Sequence, residues 1–217
     1  NNRLNMTADI YVRDTKDMLM ASKDLPNVYG ASSPKTNAAN LRTKGWEASI
    51  SWNDSFNLKG KAFHYSVVLG LADNTTKVTK YNNDNKTLGT PYEGQQLGEI
   101  WGYVVDGLFK TDEEAENYPV NQSYVNNILN ISVKSQGLHA GDVKYVDLDG
   151  DNIISPTLSA NDVKDQKVIG NSLPRYTYSV RLAADWNGID FSALLQGVGR
   201  QHWYPNGETS LFWGPYA

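Results

Sequence analysis

The sequence predicts an all-β fold, a set of antiparallel strands forming part of a transmembrane barrel. Three observations carry that expectation. Five stretches alternate between apolar and polar residues, the connections between them alternate between short and very long, and the aromatics are biased toward half-polar rings, 13 Tyr and 6 Trp against 5 Phe. Tyr and Trp pair an apolar ring with a polar handle, which suits surfaces where lipid or carbohydrate meets water.

Each stretch follows the period-2 rule of a strand with two unlike faces. In the first, Leu4, Met6, Ala8, Ile10 and Val12 alternate with Asn5, Thr7, Asp9, Tyr11 and Arg13. In the second, Trp46, Ala48, Ile50 and Trp52 alternate with Glu47, Ser49 and Ser51. The third sets Phe63, Tyr65, Val67, Leu69 and Leu71 against His64, Ser66, Val68 and Gly70. The fourth runs Tyr176, Tyr178, Val180, Leu182, Ala184 and Trp186 against Thr177, Ser179, Arg181, Ala183 and Asp185. The fifth sets Ile189, Phe191, Ala193 and Leu195 against Asp190, Ser192, Leu194 and Gln196.

The connections sharpen the reading. A segment over 14–43 separates the first two strands, and one over 73–174 separates the third from the fourth. The second and third are joined by a turn expected around Asn53-Asp54-Ser55, and the last two by Asn187-Gly188, a strong two-residue hairpin signal. Outer-membrane barrels alternate short periplasmic turns with long outer loops in this way, so 14–43 and 73–174 are expected to be extracellular. The row from Tyr176 to Trp186 climbs about 26 Å if tilted by ~40°, close to the ~25 Å apolar band of such barrels. A β-sandwich also alternates, because one face of each sheet is core. A secreted sandwich that binds carbohydrate through exposed aromatics is therefore the alternative.

Composition narrows the function. The chain has 217 residues, a net charge of −4 and no cysteine. That leaves no disulfide, no thiolate metal site and no Cys nucleophile, and no basic stripe for nucleic acid. No apolar run is long enough for a membrane helix. The opening Asn1-Asn2-Arg3 lacks a Met and the last residues read as a loop, so the chain is expected to be a piece of a longer polypeptide.

Three blocks carry a resemblance. Tyr92-Glu93-Gly94-Gln95-Gln96-Leu97-Gly98-Glu99-Ile100-Trp101-Gly102-Tyr103-Val104-Val105-Asp106-Gly107-Leu108-Phe109 precedes an acidic stretch, Asp112-Glu113-Glu114. Gly141-Asp142-Val143-Lys144-Tyr145-Val146-Asp147-Leu148-Asp149-Gly150-Asp151 follows, and then Val168-Ile169-Gly170-Asn171-Ser172-Leu173-Pro174-Arg175-Tyr176 leads into the fourth strand. In this order they resemble blocks typical of SusC/RagA-type TonB-dependent outer-membrane transporters of Bacteroidetes. The departures are the absence of the usual Pro near Gln95 or Gln96 and a longer insert after Asp151.

The resemblance implies residues 1–217 as part of a barrel of about 22 strands in the bacterial outer membrane, against lipid. It implies nutrient import of glycans or oligopeptides, with a SusD-like surface lipoprotein as lid and a TonB complex engaged through other parts of the polypeptide, such as the plug. It implies no enzyme.

The candidate chemistry lies in one loop. Asp147, Asp149 and Asp151 stand at positions 1, 3 and 5 of an EF-hand-like spacing, with Ile153 offering its carbonyl at position 7 and Ile154 as the inward apolar residue. Position 6 is Asn152, which tolerates a left-handed backbone. Position 12 is Leu158, so Ca²⁺ would need another oxygen, for which Asp162 is the candidate. The competing reading is a metal-free Asp-rich turn.

Elsewhere the signals are weak. His64, His139 and His202 lack ligand spacing, and His64 is expected to face the lumen. No Ser sits in a nucleophile elbow, and Gly197-Val198-Gly199 lies on a strand without a phosphate-loop context. Asp112-Glu113-Glu114-Glu116 reads as a solvated helix start, and the sequons at Asn74 and Asn130 as chance. Trp101, Tyr103, Phe109, Trp203, Trp213 and Tyr216 are expected in loops or at strand ends, to stack on sugars, pack the loops or meet a lid.

Overall fold

In the computed structural model, which describes residues 3–21, 35–128 and 138–203, all five expected strands form and join one sheet. They are β1 (Leu4–Ala21), β2 (Lys35–Leu58), β3 (Lys61–Lys80), β8 (Arg175–Trp186) and β9 (Ile189–Arg200). The sheet order is β1-β2-β3-β8-β9, antiparallel throughout, so the chain leaves after β3 and returns beside it.

The register aligns the apolar rows into one face. Leu4, Trp52, Val67, Leu182 and Ala193 are cross-strand neighbours in a single line over all five strands. The next line is Met6, Ile50, Leu69, Val180 and Leu195. A one-residue slip would have moved every one of these to the other face. On the opposite face run Thr7, Ser49, Gly70, Ser179 and Gln196. Among the described residues nothing covers the apolar face, with Ile10 89% exposed and Met6, Ile189 and Phe191 more than half exposed. A face of that size is a lipid-facing or packed surface, not a water-facing one.

At the short-turn end of this face the aromatics gather. Phe56 and Phe63 are ring neighbours at 5.0 Å, Tyr65 lies 6.3 Å from each, and the Trp52 indole N–H donates to the Tyr65 hydroxyl at 3.2 Å. Trp186 faces Phe63 across the strands and donates from Nε1 to the Leu58 carbonyl. Rings tied by their polar ends at one level form a girdle of the interfacial kind.

The structure corrects two boundaries. The turn between β2 and β3 falls at Lys59-Gly60, not at Asn53-Asp54-Ser55, which continue β2 paired with Ser66, Tyr65 and His64. Lys59 and Gly60 both have positive φ, 51° and 78°, as a two-residue type I′ hairpin requires. Asn187 and Gly188, at 50° and 83°, make the same turn where it was expected. The strands also run further than their apolar rows: β1 continues through 14–21, β2 begins at 35 and β3 reaches 80, so these parts of 14–43 and 73–174 are strand and not loop. Beyond the apolar band the apolar residues, such as Met18, Leu19, Met20, Ala39, Leu41 and Val78, no longer alternate with polar ones, and the period that marks a strand disappears.

The chain divides into two units, one of Asn1–Lys80, Gln96–Gly98 and Asn171–Ala217, which holds the sheet, and one of Tyr81–Gln95 and Glu99–Gly170. The second holds β4 (Glu99–Tyr103), β5 (Val105–Leu108), α1 (Asp112–Glu116), α2 (Ser123–Ile128) and β6 (Val143–Tyr145), with β7 (Gln166–Asn171) at its end. β4 pairs with β7 and β5 with β6. Tyr92, Phe109, Ala115, Val125 and Ile154 of this unit are buried.

Candidate functional site

The glycines of the first block are where the backbone needs them. Gly94 and Gly98 have φ of 94° and 80°, a region side chains rarely adopt. A Cβ on Gly98 would also stand 2.6 Å from Asn171 Oδ1 and 2.7 Å from Leu173 Cγ, and one on Gly102 would run into the Ile169 side chain. Glu99 accepts from the Tyr92 hydroxyl, and from the Trp101 indole N–H at 2.9 Å. Burial, and then the neighbouring Glu99 carboxylate, push the Tyr92 phenol up to about 12.

The blocks are hydrogen-bonded to one another. Within the second unit, Phe109 donates its N–H to the Asp142 carbonyl at 3.0 Å and accepts from the Gly141 N–H at 2.8 Å, joining the end of the first block to the start of the second. Within the first unit, the Ser172 N–H donates to the Gly98 carbonyl at 2.7 Å and Asn171 Nδ2 to the Leu97 carbonyl at 2.9 Å, joining the first block to the third. The Asn171 N–H donates to His202 Nδ1 at 3.2 Å, which ties the third block to the end of β9.

Around Phe109 sits a cationic clasp. Lys144 Nζ lies 3.2 Å from Glu114 Oε1 and 3.3 Å from Asp106 Oδ2, and about 6 Å from the Phe109 and Tyr118 ring centres. The Glu114 carboxyl is held below its ordinary value, first by the Lys110 amide and then by Lys144, while its hydrogen bond holds the Lys144 ammonium above its own. Thr111 caps α1 by accepting the Glu114 N–H at 3.1 Å, so the expected acidic helix start is present over Asp112–Glu116. Gln122, nearly fully buried, pairs with β6 through its side chain: Nε2 donates to the Val143 carbonyl, and Oε1 accepts from the Tyr145 N–H.

The Asp-rich loop converges as its spacing suggests. Asp147, Asp149 and Asp151 each bring a carboxylate oxygen within 4.8 Å of the others. Asn152 takes a left-handed φ of 63°, and Ile154 is 0% exposed while Ile153 is exposed. Asp147 accepts from the Gly150 and Asn152 amides at 2.7 and 2.8 Å, Asp149 from Asp151, and Asp151 from Ile153. Desolvation pushes the Asp147 carboxyl up, but those amides outweigh it and hold it below its ordinary value. Asp162 is not among the three that converge: it stands 3.7 Å from Lys164 Nζ, which reaches to 3.4 Å of Asp149 Oδ2. One oxygen from each of three carboxylates, with the Ile153 carbonyl, falls short of the 6–8 oxygens Ca²⁺ takes, and Lys164 brings a positive charge beside them.

Asp165, which no sequence signal marks, secures this loop. Fully buried, it accepts from the Leu148 N–H at 2.8 Å through one oxygen and from the Ser155 N–H at 2.7 Å through the other, bracketing both ends. Its partners lie 17 and 10 residues away, beyond the reach of any local pattern.

The other expected residues separate. Phe109 is core, Trp101 is tied to Glu99, and Tyr103 packs on Tyr145 at 5.5 Å. Trp203 is exposed, while Trp213, Tyr216 and the Asn130 sequon lie outside the described residues. His64 is on the polar face and meets Asp185 at 2.9 Å, and the three histidines do not come together.

No family model matches the chain. It is 30% identical over 224 residues, 89% of its length, to TonB-dependent receptor P39 of Formosa agariphila, and 25% identical over 209 residues to TonB-dependent receptor P3 of the same organism. It spans only 20% and 18% of those two proteins. Among solved structures it superposes on the RagAB peptide transporter with a TM-score of 0.60 at 18% identity, covering 91% of this chain and 19% of that one, and on a closed-closed state of the RagAB importer with a TM-score of 0.57. At that identity the likeness is one of fold: a stretch of such a barrel together with the segment inserted in it.

Proposed function

We propose, from the premise that this chain is a barrel segment of a SusC/RagA-type TonB-dependent receptor, that it forms part of the wall and outer surface of an importer that brings nutrients across the bacterial outer membrane. The supporting observation is the sheet itself. Five strands in one register give an unbroken apolar face on one side and a hydroxyl-lined polar face on the other, the two surfaces that lipid and an aqueous lumen ask for. The cargo we assign is a glycan or an oligopeptide, the latter being what the RagAB transporter of similar fold carries by its name. The partners are a SusD-like lipoprotein lid and a TonB complex engaged through other parts of the polypeptide.

Cell fractionation with an uptake assay tests this. The full-length protein should require detergent for extraction, and cells should take up labelled oligosaccharide or oligopeptide only while the receptor and TonB are both present. Release into buffer without detergent would overturn the barrel and restore the secreted sandwich. Unchanged uptake in a receptor deletion would overturn the import role alone.

A further inference from the structure

Two pairs of carboxylates face each other across the strands on the polar face. The register sets Asp9 of β1 directly opposite Glu47 of β2, and Asp185 of β8 directly opposite Asp190 of β9. Like charges directly opposite in an antiparallel pair are destabilising. His64 answers Asp185 at 2.9 Å, but among the described residues Asp9, Glu47 and Asp190 form no ion pair. The arginines of the same face, Arg13 and Arg181, are in ion-pair contact with none of them.

The placement of the two pairs is alike. Each has one member on an outermost strand, Asp9 on β1 and Asp190 on β9, and among the described residues these strands are the edges of the sheet. In a bilayer an open edge must be hydrogen-bonded to a further strand. Such a strand brings its own lumen-facing side chains to within about 5 Å of Asp9 or Asp190. The acid pair is tolerable when that neighbour is cationic, because one positive charge converts a repulsion into a three-membered ion network.

We propose that the strand paired to β1 presents a Lys or Arg beside Asp9, and that the strand paired to β9 presents one beside Asp190, so that both edges of this sheet are charge-matched docking surfaces for specific neighbouring strands. This rests on the barrel reading. It gives each edge a partner chemistry that backbone pairing alone does not supply, because every strand offers the same N–H and C=O groups. An edge ending on an uncompensated acid accepts a cationic neighbour in register and rejects an acidic one.

The test uses the full-length receptor in detergent, with Asp9→Lys and Asp190→Lys compared with Asp9→Asn and Asp190→Asn. Without a flanking cation, Asp9→Lys creates an opposite-charge pair with Glu47, and Asp190→Lys one with Asp185, so both raise the thermal midpoint. With a flanking cation, each lysine gains its cross-strand carboxylate but meets a like charge on the neighbour, and each asparagine loses an attraction together with a repulsion, so none of the four raises the midpoint. The second pattern is expected and the first overturns the proposal. Where a lysine variant fails to fold, the asparagine decides alone: without a flanking cation it removes only a repulsion and raises the midpoint, and with one it does not. A structure of the receptor with the cation on any element other than the strands bonded to β1 and β9 would also overturn it. Heat-modifiable mobility of the wild type on a gel reads the barrel separately, and its absence would sink the barrel reading instead.

Discussion

Tyr178 on β8 lays its ring across Gly197 on β9, its register partner, so closely that a Cβ on the glycine would run into the ring and the hydroxyl. Tyr11 covers Gly45 in the same way on the other face, where a Cβ would come within 2.5 Å of the ring Cζ. In both pairs the missing side chain is the space the ring occupies, and the ring in turn shields the glycine backbone. A glycine alone would weaken a strand, and the aromatic partner offsets that.

Gly197→Val should therefore force Tyr178 off its rotamer, at a cost of about 1–3 kcal/mol. The double change Gly197→Val with Tyr178→Ala should cost less than the sum of the two single changes. Denaturant unfolding of the full-length barrel in detergent checks both, and simple additivity would show that ring and glycine are independent.

The two type I′ turns should lie in the periplasm and the long insertion outside the cell. Single cysteines introduced at Asn83 and Asn187 test this on intact cells, where a membrane-impermeant thiol reagent is expected to label the first and spare the second. Equal labelling of both would overturn the expected sidedness.

Asp165→Asn should loosen the Asp-rich loop. The amide keeps one acceptor oxygen and turns an N–H₂ toward a backbone N–H, leaving a buried donor unmet at about 1–3 kcal/mol. Hydrogen exchange should speed up over residues 147–155 and leave β1, β2 and β9 unchanged. An unaltered loop would mean that Asp147 and its amides hold it without the bracket.

Calcium at Asp147, Asp149 and Asp151 has to compete with the Lys164 ammonium for Asp149. Lys164→Met should strengthen binding of Ca²⁺ or of luminescent Tb³⁺ several-fold, and a bound ion should sit about 2.3–2.6 Å from the carboxylate oxygens. A chelator should then loosen residues 141–170 without melting the strands. Titration with no binding in either protein would leave the loop as a turn whose charge Lys164 balances.

The Lys144 clasp should give the second unit a defined pH window. The Glu114 carboxyl is lowered, so its contribution is fully present above its ordinary value of 4.5 and is lost as the pH falls through the lowered one. The Lys144 ammonium is raised, so its contribution is fully present below 10.5 and is lost as the pH rises through the raised value. Exchange protection of residues 105–118 should accordingly decline in acid, and Glu114→Gln should flatten that decline. The same acid limb in wild type and variant would show that other carboxylates govern it.

Sequence alone determined the five strands, which side of each is apolar, the Asn187-Gly188 hairpin and the three blocks that carry the resemblance. These are local or periodic properties: a strand with one apolar face writes its face into every second residue, and a type I′ turn needs two residues that tolerate positive φ. The tertiary structure decided what depends on partners distant in the chain. The turn at Lys59-Gly60 follows from the pairing of Leu58 with Lys61, while Asn53-Asp54-Ser55, turn formers by composition, stay extended because β3 pairs with them. The ends of β1, β2 and β3 are held by cross-strand bonds such as the Thr43–Thr76 hydroxyl contact and the Asp14–Arg42 pair, where apolar and polar residues no longer alternate and no periodicity remains to read. No local pattern assigns a role to Asp165, Gln122 or Lys144, which are half-buried or buried organisers of the second unit because the chain brings backbone amides, a strand edge and two carboxylates to them from 10 to 38 residues away. Burial of a polar group is stable only when its partners arrive with it, and partners that far off are set by the fold and not by the neighbouring sequence.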